Sequence, residues 1–399
     1  MKILVLNAGS SSLKYQLFNM ETSEVLAKGN CERIGAGGTI THKRPNAETF
    51  NEELNLENHG VALERVLALL CSAEYGVIKS ISEIDAVGHR VAHGGEQLKE
   101  SSIVTESVIK YLETIVPINP LHGPPALAGM KACLKLMPEV TQVAVFDTSF
   151  YSEIEDFRYI YPIPYEFYES DKIRRYGFHG TSHRYVSNQL AKLLGKDIKD
   201  LKIITCHLGN GSSITAVDGG KAIDTSMGFS PQEGIAMGTR SGSIDPTIVP
   251  YLMKTKGYSA QEVEDILNKK SGLLGVSGIS NDCRNIQEAA ENGNKRAELA
   301  IKILVNGIKK IIGSYVAELN GLDAIVFTAG IGENDWNVRE KVCANMEYLG
   351  IKIDNEKNKN FQRGIPFDIT AEGSKVAAWI IPTDEEYMIA IDTQRLANK

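Results

Sequence analysis

Apolar and polar positions alternate along this chain in a pattern that recurs at long range. Ile3-Leu4-Val5-Leu6 is a continuous apolar run, Asn7 to Ser12 carries turn residues, and Leu13 to Phe18 alternates. That order predicts a buried strand, a tight turn and a half-buried strand. Much later, Leu201-Lys202-Ile203-Ile204-Thr205 leads into His207-Leu208-Gly209-Asn210-Gly211-Ser212-Ser213 and then Ile214-Thr215-Ala216-Val217. The succession is the same, and a unit repeated so far along the chain predicts two domains on one plan. A period of about 3.6 predicts amphipathic helices over Gly60 to Cys71, His183 to Leu194 and Arg296 to Leu319. Strands followed by helices in both halves predict an α/β architecture with helix-covered sheets. A stretch rich in Tyr, Pro and acidic residues, Asp147 to Pro164, is the predicted boundary. Thr383 to Leu396, after Pro382, reads as a helix packing back on the first domain.

Composition narrows the class. The 399 residues suffice for two domains that each bury a core. A net charge of −7 argues against a general nucleic-acid or membrane-surface binder, because both need surplus Lys and Arg. No stretch approaches the ~20 apolar residues of a membrane span, and the N-terminal apolar run is too short for a signal peptide. The six cysteines are scattered without paired spacing, which fits neither a disulfide framework nor a zinc site and suits a reducing cytosol. The expectation is a cytoplasmic protein with no nucleic-acid and no membrane partner.

Three turns carry candidate chemistry. NAGSSSLK (Asn7 to Lys14) places Gly and small hydroxyl residues where backbone N–H groups can reach phosphate oxygens, with Lys14 as a nearby charge. On its own it is a β-turn, and the strand after it rules out a P-loop. HLGNGSS (His207 to Ser213) and TAGIGEN (Thr328 to Asn334) repeat the chemistry, the latter after the apolar run Ala324 to Phe327. Asn334 and its neighbours are placed to cap a helix starting near Trp336. Three such turns in one chain predict hairpins that clamp a polyphosphate.

Six of the eight histidines lie in four short motifs: GHRVAHGG (His89, His93), PLHGP (His122), GFHGTSH (His179, His183) and CHLGNG (His207). Arg90, Arg174, Arg175, Arg240 in GTRSG and Arg284 in NDCRN also sit in Gly-rich or turn contexts, which suits bidentate recognition of carboxylate or phosphate. His93 and His183 read as hydrogen-bonded core or cap residues, and no spacing suggests zinc. Asp147 ends the apolar run Val143 to Phe146, where carboxylates often emerge from a strand, and Glu385 in PTDEE could contact a hard cation.

Taken in order, NAGSSSLK, GHRVAHGG, PLHGP, FDTSF, RRYGFHGTSH, HLGNGSS, SMGFSP, GTRSG, SGLLGVSG, FTAGIGEN and PTDEE resemble the acetokinase family, over roughly residues 1 to 395. RRYGFHGTSH together with GTRSG is the specific part. The resemblance implies an α/β fold of two duplicated ribonuclease-H-like domains of the sugar kinase/actin type, with an interdomain active-site cleft. The implied domains are 1-149 with a C-terminal helix at 384-399, and a nucleotide-binding domain at 150-383. The implied activity is reversible, ATP-dependent phosphorylation of acetate to acetyl phosphate by a homodimer. Asn7 and Glu385 would hold Mg²⁺, or Mn²⁺ in its place. ATP or ADP would be bound by Lys14, His207, Leu208, Gly209, Asn210, Gly211, Asp282, Cys283, Arg284, Gly330, Ile331, Gly332, Glu333 and Asn334. Arg90 would orient the acyl substrate in a pocket with Ala92, Leu121, His122, Phe178 and Pro231. His179 and Arg240 would stabilise the transferring phosphoryl group, and Asp147 matches the family's acid/base position. A short carboxylate titrates near the Glu value of about 4.3 and is already anionic at neutral pH, so Asp147 is expected to fix Arg or Mg²⁺ geometry instead.

The chain departs from the family pattern in places. Ala92 stands where acetate enzymes usually carry Val, as in propionate-preferring relatives, so propionate is the alternative substrate. FDTSFYSEIED replaces FDTAFHQTMP, Ser243 replaces Asp, Gly123 replaces Asn and Ile391 replaces Arg. None removes a candidate catalytic group. An actin-like nucleotide switch is the alternative of another class, disfavoured because a switch needs no Arg90, His179 and Arg240 set.

Overall fold

The computed structural model describes residues 1–398. The chain divides into two compact units, one of Met1–Ser152 with the C-terminal stretch from Asp384, the other Glu153–Thr383.

In the first unit, β1 (Lys2–Gly9), β2 (Ser12–Asn19), β3 (Glu24–Glu32), β4 (Thr39–Lys43), β5 (Phe50–Glu53), β6 (Ala86–Val91), β7 (Ser102–Ile103) and β8 (Thr141–Phe146) form one sheet. Its order is β5-β4-β3-β2-β1-β6-β8-β7. The first five strands run as an antiparallel meander, and β6 and β8 add in parallel beside β1. Alternation along β1 serves two cores. Leu4 and Leu6 pack under the His59–Leu70 helix, whose Leu63, Val66, Leu67 and Leu70 are buried. Ile3 and Val5 face the Glu385–Ala397 helix through Ile389 and Ala390. Burying each such side chain is worth roughly 1.5–3 kcal/mol. That helix closes tightly on β6, where a side chain on Gly88 would collide with Thr393 and Ile389.

In the second unit, β9 (Lys202–Leu208), β10 (Ser212–Asp218), β11 (Lys221–Thr225), β12 (Ala324–Thr328), β13 (Phe367–Asp368) and β14 (Ala377–Ile380) form a sheet of order β11-β10-β9-β12-β14-β13. Again an antiparallel meander is followed by parallel strands, β12 beside β9 and β14 beside β12. The order β3-β2-β1-β6-β8 of one unit therefore recurs as β11-β10-β9-β12-β14 in the other. This is the duplicated α/β plan that the two strand–turn–strand signals predict. The Lys295–Leu319 helix buries Ala297, Ala300, Ile301, Leu304, Ile308, Ile312, Tyr315 and Leu319, a stripe at helical spacing, against that sheet's core.

One local expectation is corrected, and the cap expected for a helix at Trp336 is found on the neighbour of Asn334. TAGIGEN does not stay a turn: Ala329–Asn334 is a short helix, and the cap of Trp336–Cys343 is Asp335, whose Oδ1 accepts from Val338 N–H at 3.0 Å. Asn334 instead donates Nδ2–H to Gly330 O at 3.0 Å.

Candidate active site

The first unit gathers one set of site residues where β1, β6 and β8 end side by side. Asn7 faces Lys14 across the β1–β2 hairpin. β6 delivers Arg90, and Asp147 follows β8, its N–H donating to Val91 O at 3.0 Å. The Asp147 carboxylate is 1% exposed and takes both arms of the Arg90 fork, Nη2 at 2.7 Å and Nε at 3.4 Å. Arg90 Nη1 donates to Asn7 Oδ1 at 3.5 Å, and Nε lies 3.9 Å from Glu385 Oε2 in the first turn of the C-terminal helix. Asp147 holds the Arg90 guanidinium above its ordinary value, against burial and with help from Glu385. Burial pushes the Glu385 carboxyl up; Arg90 pulls it back and Asp147 adds to the rise. A planar fork held by two carboxylates and an amide oxygen keeps a fixed direction. Ala92 is buried just beyond β6, whereas Leu121 is 67% exposed and His122 is the N-cap of the Gly123–Leu136 helix.

The second unit gathers another set. His179 is the N-cap of the Gly180–Leu194 helix and adopts a left-handed backbone, φ 59°. Such a conformation costs a non-glycine residue about 1–3 kcal/mol and is held by its surroundings. Its ring stacks on His207 at 4.1 Å, and its Nδ1 lies 2.9 Å from Ser213 Oγ. The same hydroxyl is 2.7 Å from Nε2 of buried His183, whose Nδ1 meets Thr205 Oγ1 at 2.6 Å, so His183 is a hydrogen-bonded core residue. Arg240 donates Nη1–H to Pro231 O at 2.5 Å and, among the described residues, has no carboxylate within ion-pair reach. A side chain on Gly211 would stand 2.8 Å from Arg240 Nη2 and 3.5 Å from His179 Cε1. The bare glycine is what lets imidazole and guanidinium both approach the turn after β9.

Beside that turn opens a cavity of about 690 Å³, lined by Gly209, Asn210, Asp282, Cys283, Arg284, Gly330, Ile331 and Asn334. All of these are candidates from the sequence, and they reach one cavity from three separate segments: the turn after β9, the start of the Cys283–Glu291 helix and the short Ala329–Asn334 helix. Asn281, Gln287, Asp335, Trp336 and Arg363 line it as well. Asn281 opens NDCRN, whereas no motif points to the other four, although Asp335 and Trp336 adjoin TAGIGEN. Other candidates play a different part. The Leu208 side chain is in the core, and Gly332 packs against Cys206 and Leu208. The Glu333 carboxylate accepts from Ala329 N–H at 2.8 Å and Thr383 N–H at 3.2 Å, which fastens the strained left-handed Ala329. Arg284 forks onto Asp282, which caps the Cys283–Glu291 helix, and burial pushes the Cys283 thiol up to about 12. Arg174 stacks over Tyr159 at 3.5 Å, and Arg175 pairs with Glu233.

A model of the acetokinase family matches residues 2–391. The chain is 56% identical over 398 residues to the acetate kinase of Caldanaerobacter subterraneus subsp. tengcongensis, covering 99% of both. This chain belongs to the acetokinase family. Among solved structures it superposes on the Porphyromonas gingivalis acetate kinase with a TM-score of 0.96 at 47% identity, and on a Francisella tularensis propionate kinase with 0.91 at 40%, each covering 99% of both chains. No helix among the described residues is long and apolar enough to cross a membrane. One residue of this acetokinase that no sequence motif marks is Arg339, fully buried in the Trp336–Cys343 helix. It donates to the carbonyls of Gly332 (2.8 Å) and Glu333 (3.0 Å) and to Asn358 Oδ1 (2.7 Å), tying down the short helix beside the cavity.

Acid should weaken the fold through histidines kept neutral. Burial pushes His89 down to about 4, and burial with His207 lowers His183 well below its ordinary value. A lowered histidine value means the unfolded chain binds more protons, so this stability is complete above about pH 6.5 and is lost as pH falls toward 4. The His89 shift alone corresponds to about 3 kcal/mol at the acid end. Urea unfolding midpoints should therefore fall steadily across this window and fall less in His89→Gln. A midpoint constant from pH ~7 to ~4.5 would contradict the assignment.

Proposed function

We propose that the protein transfers a phosphoryl group between ATP and acetate, reversibly, forming acetyl phosphate and ADP. The single observation that carries this reading is Arg240: a half-buried guanidinium without a carboxylate among the described residues, at the turn that borders a nucleotide-sized cavity. Arg339 saturates its guanidinium on carbonyl and amide oxygens, whereas Arg240 has, among the described residues, the Pro231 carbonyl alone and keeps donors for an incoming anion. The acceptor oxygen of acetate attacks the terminal phosphorus, the bond to the bridging oxygen breaks, and ADP leaves. No proton moves, because the acceptor is already ionised at neutral pH. Charge spread over the transferred oxygens is met by cations: Arg240 and His179 face the phosphoryl group, and Arg90 holds the acyl carboxylate.

Asp147 is assigned a positioning role, since both its oxygens already accept from Arg90. Asn7 Oδ1 and the Glu385 carboxylate offer hard oxygen donors of the kind Mg²⁺ or Mn²⁺ takes together with waters and substrate phosphate. That ion would neutralise phosphate charge; the protein's own part is to hold the donors on either side of Arg90. A homodimeric cytoplasmic enzyme is part of the same proposal. Coupled detection of ADP release with acetate as acceptor tests it, and absence of acetate-dependent ADP from folded protein would refute it.

Propionate is the second reading, favoured by Ala92 and by the likeness to the propionate kinase. A methylene more or less in an apolar pocket is worth about 1–3 kcal/mol of discrimination. Ala92→Val should therefore lower kcat/KM for propionate relative to acetate by roughly 10-fold or more. An unchanged acetate to propionate ratio would remove Ala92 from the specificity determinants.

A further inference from the structure

We infer that Glu233, clamped by Arg175 and Tyr161, is a positioning residue that aims Arg240 and holds the buried packing around Phe178. This rests on the phosphoryl-transfer reading above. Arg175 Nη2 donates to Glu233 Oε1 at 2.9 Å, and the Tyr161 hydroxyl donates to Oε2. The same Tyr161 oxygen accepts from Phe229 N–H at 2.9 Å. Arg175 Nη1 donates to the carbonyls of Thr225 (2.8 Å) and Met227 (3.1 Å), while Asp224 Oδ1 lies 3.9 Å from Nε. Tyr176 N–H closes the set on Gly228 O at 3.0 Å. A side chain on Gly228 would run into the Glu233 carboxylate and the Tyr161 hydroxyl, so the clamp is built at contact distance.

The loop from Ser226 to Gly234 is thus fastened at Met227, Gly228, Phe229 and Glu233, and Pro231 stands inside the fastened span. Its carbonyl is the hydrogen-bond acceptor of Arg240. Two further ties couple loop and arginine segment: Gln232 Nε2–H to Ser241 Oγ at 2.8 Å, and the Gly234–Ser243 pair, with Ser243 N–H on Gly234 O at 2.9 Å. Since no carboxylate among the described residues orients Arg240, the loop does. The same loop supplies Met227 to a buried cluster with Phe178 and Met237, so a shift of the loop moves Arg240 and the packing around Phe178 together. The clamp touches no reacting atom; it acts through Pro231 and Arg240.

The test is a double-mutant cycle between Glu233→Gln and Arg240→Ala, read by acyl phosphate formation with acetate and propionate. Glu233→Gln keeps the shape and removes the charge that Arg175 faces. It should lower kcat by about 10- to 100-fold with a smaller change in the acetate KM, and shift the propionate to acetate ratio. In the Arg240→Ala background the same change should have little further effect on kcat, because the group it aims is gone. Full additivity, or a Glu233→Gln enzyme with wild-type kcat and selectivity, overturns the inference. Should Glu233→Gln fail to fold, Tyr161→Phe replaces it in the cycle: a smaller effect that vanishes without Arg240 supports the clamp, and additivity or wild-type behaviour overturns it. A wild-type enzyme that forms no acyl phosphate refutes the functional reading, so the two failures are distinguishable.

Discussion

Replacing Arg240 by alanine is expected to lower kcat by about three orders of magnitude while leaving the fold intact. The size follows from the role proposed for the side chain, since a guanidinium that meets charge developing on a transferred phosphoryl group is worth about 10³-fold or more. The stability cost should be small by comparison. No ion pair among the described residues is broken, and the acceptor left without its donor is the Pro231 carbonyl, a loss of about 1 kcal/mol. Arg240→Lys should recover part of the rate at most, because an ammonium supplies the charge without the planar fork. Steady-state kinetics beside a thermal melt separate the outcomes. Near-normal turnover in a folded Arg240→Ala protein would take this residue out of the chemistry.

The second large effect is at Asp147. Alanine there leaves Arg90 with Asn7 Oδ1 at 3.5 Å and Glu385 at 3.9 Å, both weak tethers for a charged fork. Under the role proposed for Arg90, misplacing the group that orients the acyl carboxylate by about 1 Å costs on the order of 10²-fold, and kcat/KM should fall by at least that. Asp147→Asn discriminates the roles. As a positioning residue, its loss scales the pH–rate profile down without moving its limbs. As a proton acceptor, its loss removes the acid limb or is relieved as pH rises. The two-pronged hydrogen bonding from Arg90 predicts the first result.

Strand–turn–strand units are legible in the sequence because a change of period is a local signal: β1 with β2, and β9 with β10, follow directly from where apolar residues alternate. The outer meander strands are not, since Glu24–Glu32 mixes charges with a Gly and takes its strand conformation from pairing with β2. The Gly180–Leu194 helix begins three residues before its apolar period does, because His179 starts it from a left-handed backbone that no periodicity reveals. Glu333 and Arg175 show the opposite failure. Both sit in turn-rich motifs that suggest a ligand, yet their side chains are spent on backbone N–H groups and on Glu233. Loops that approach a phosphate and loops that need internal fastening use the same residues. Arg339 is invisible in the sequence, since its partners at Gly332 and Asn358 are set by tertiary packing.

Arg240, His179 and an Arg90 aimed by Asp147 are held to carry a phosphoryl group to a carboxylate that needs no base. Trapping the product as its hydroxamate, with purified protein, ATP, Mg²⁺ and acetate, tests this most directly. Acetohydroxamate should form in proportion to ADP with the wild type and nearly vanish with folded Arg240→Ala. ADP without hydroxamate, or equal hydroxamate from both proteins, would contradict it.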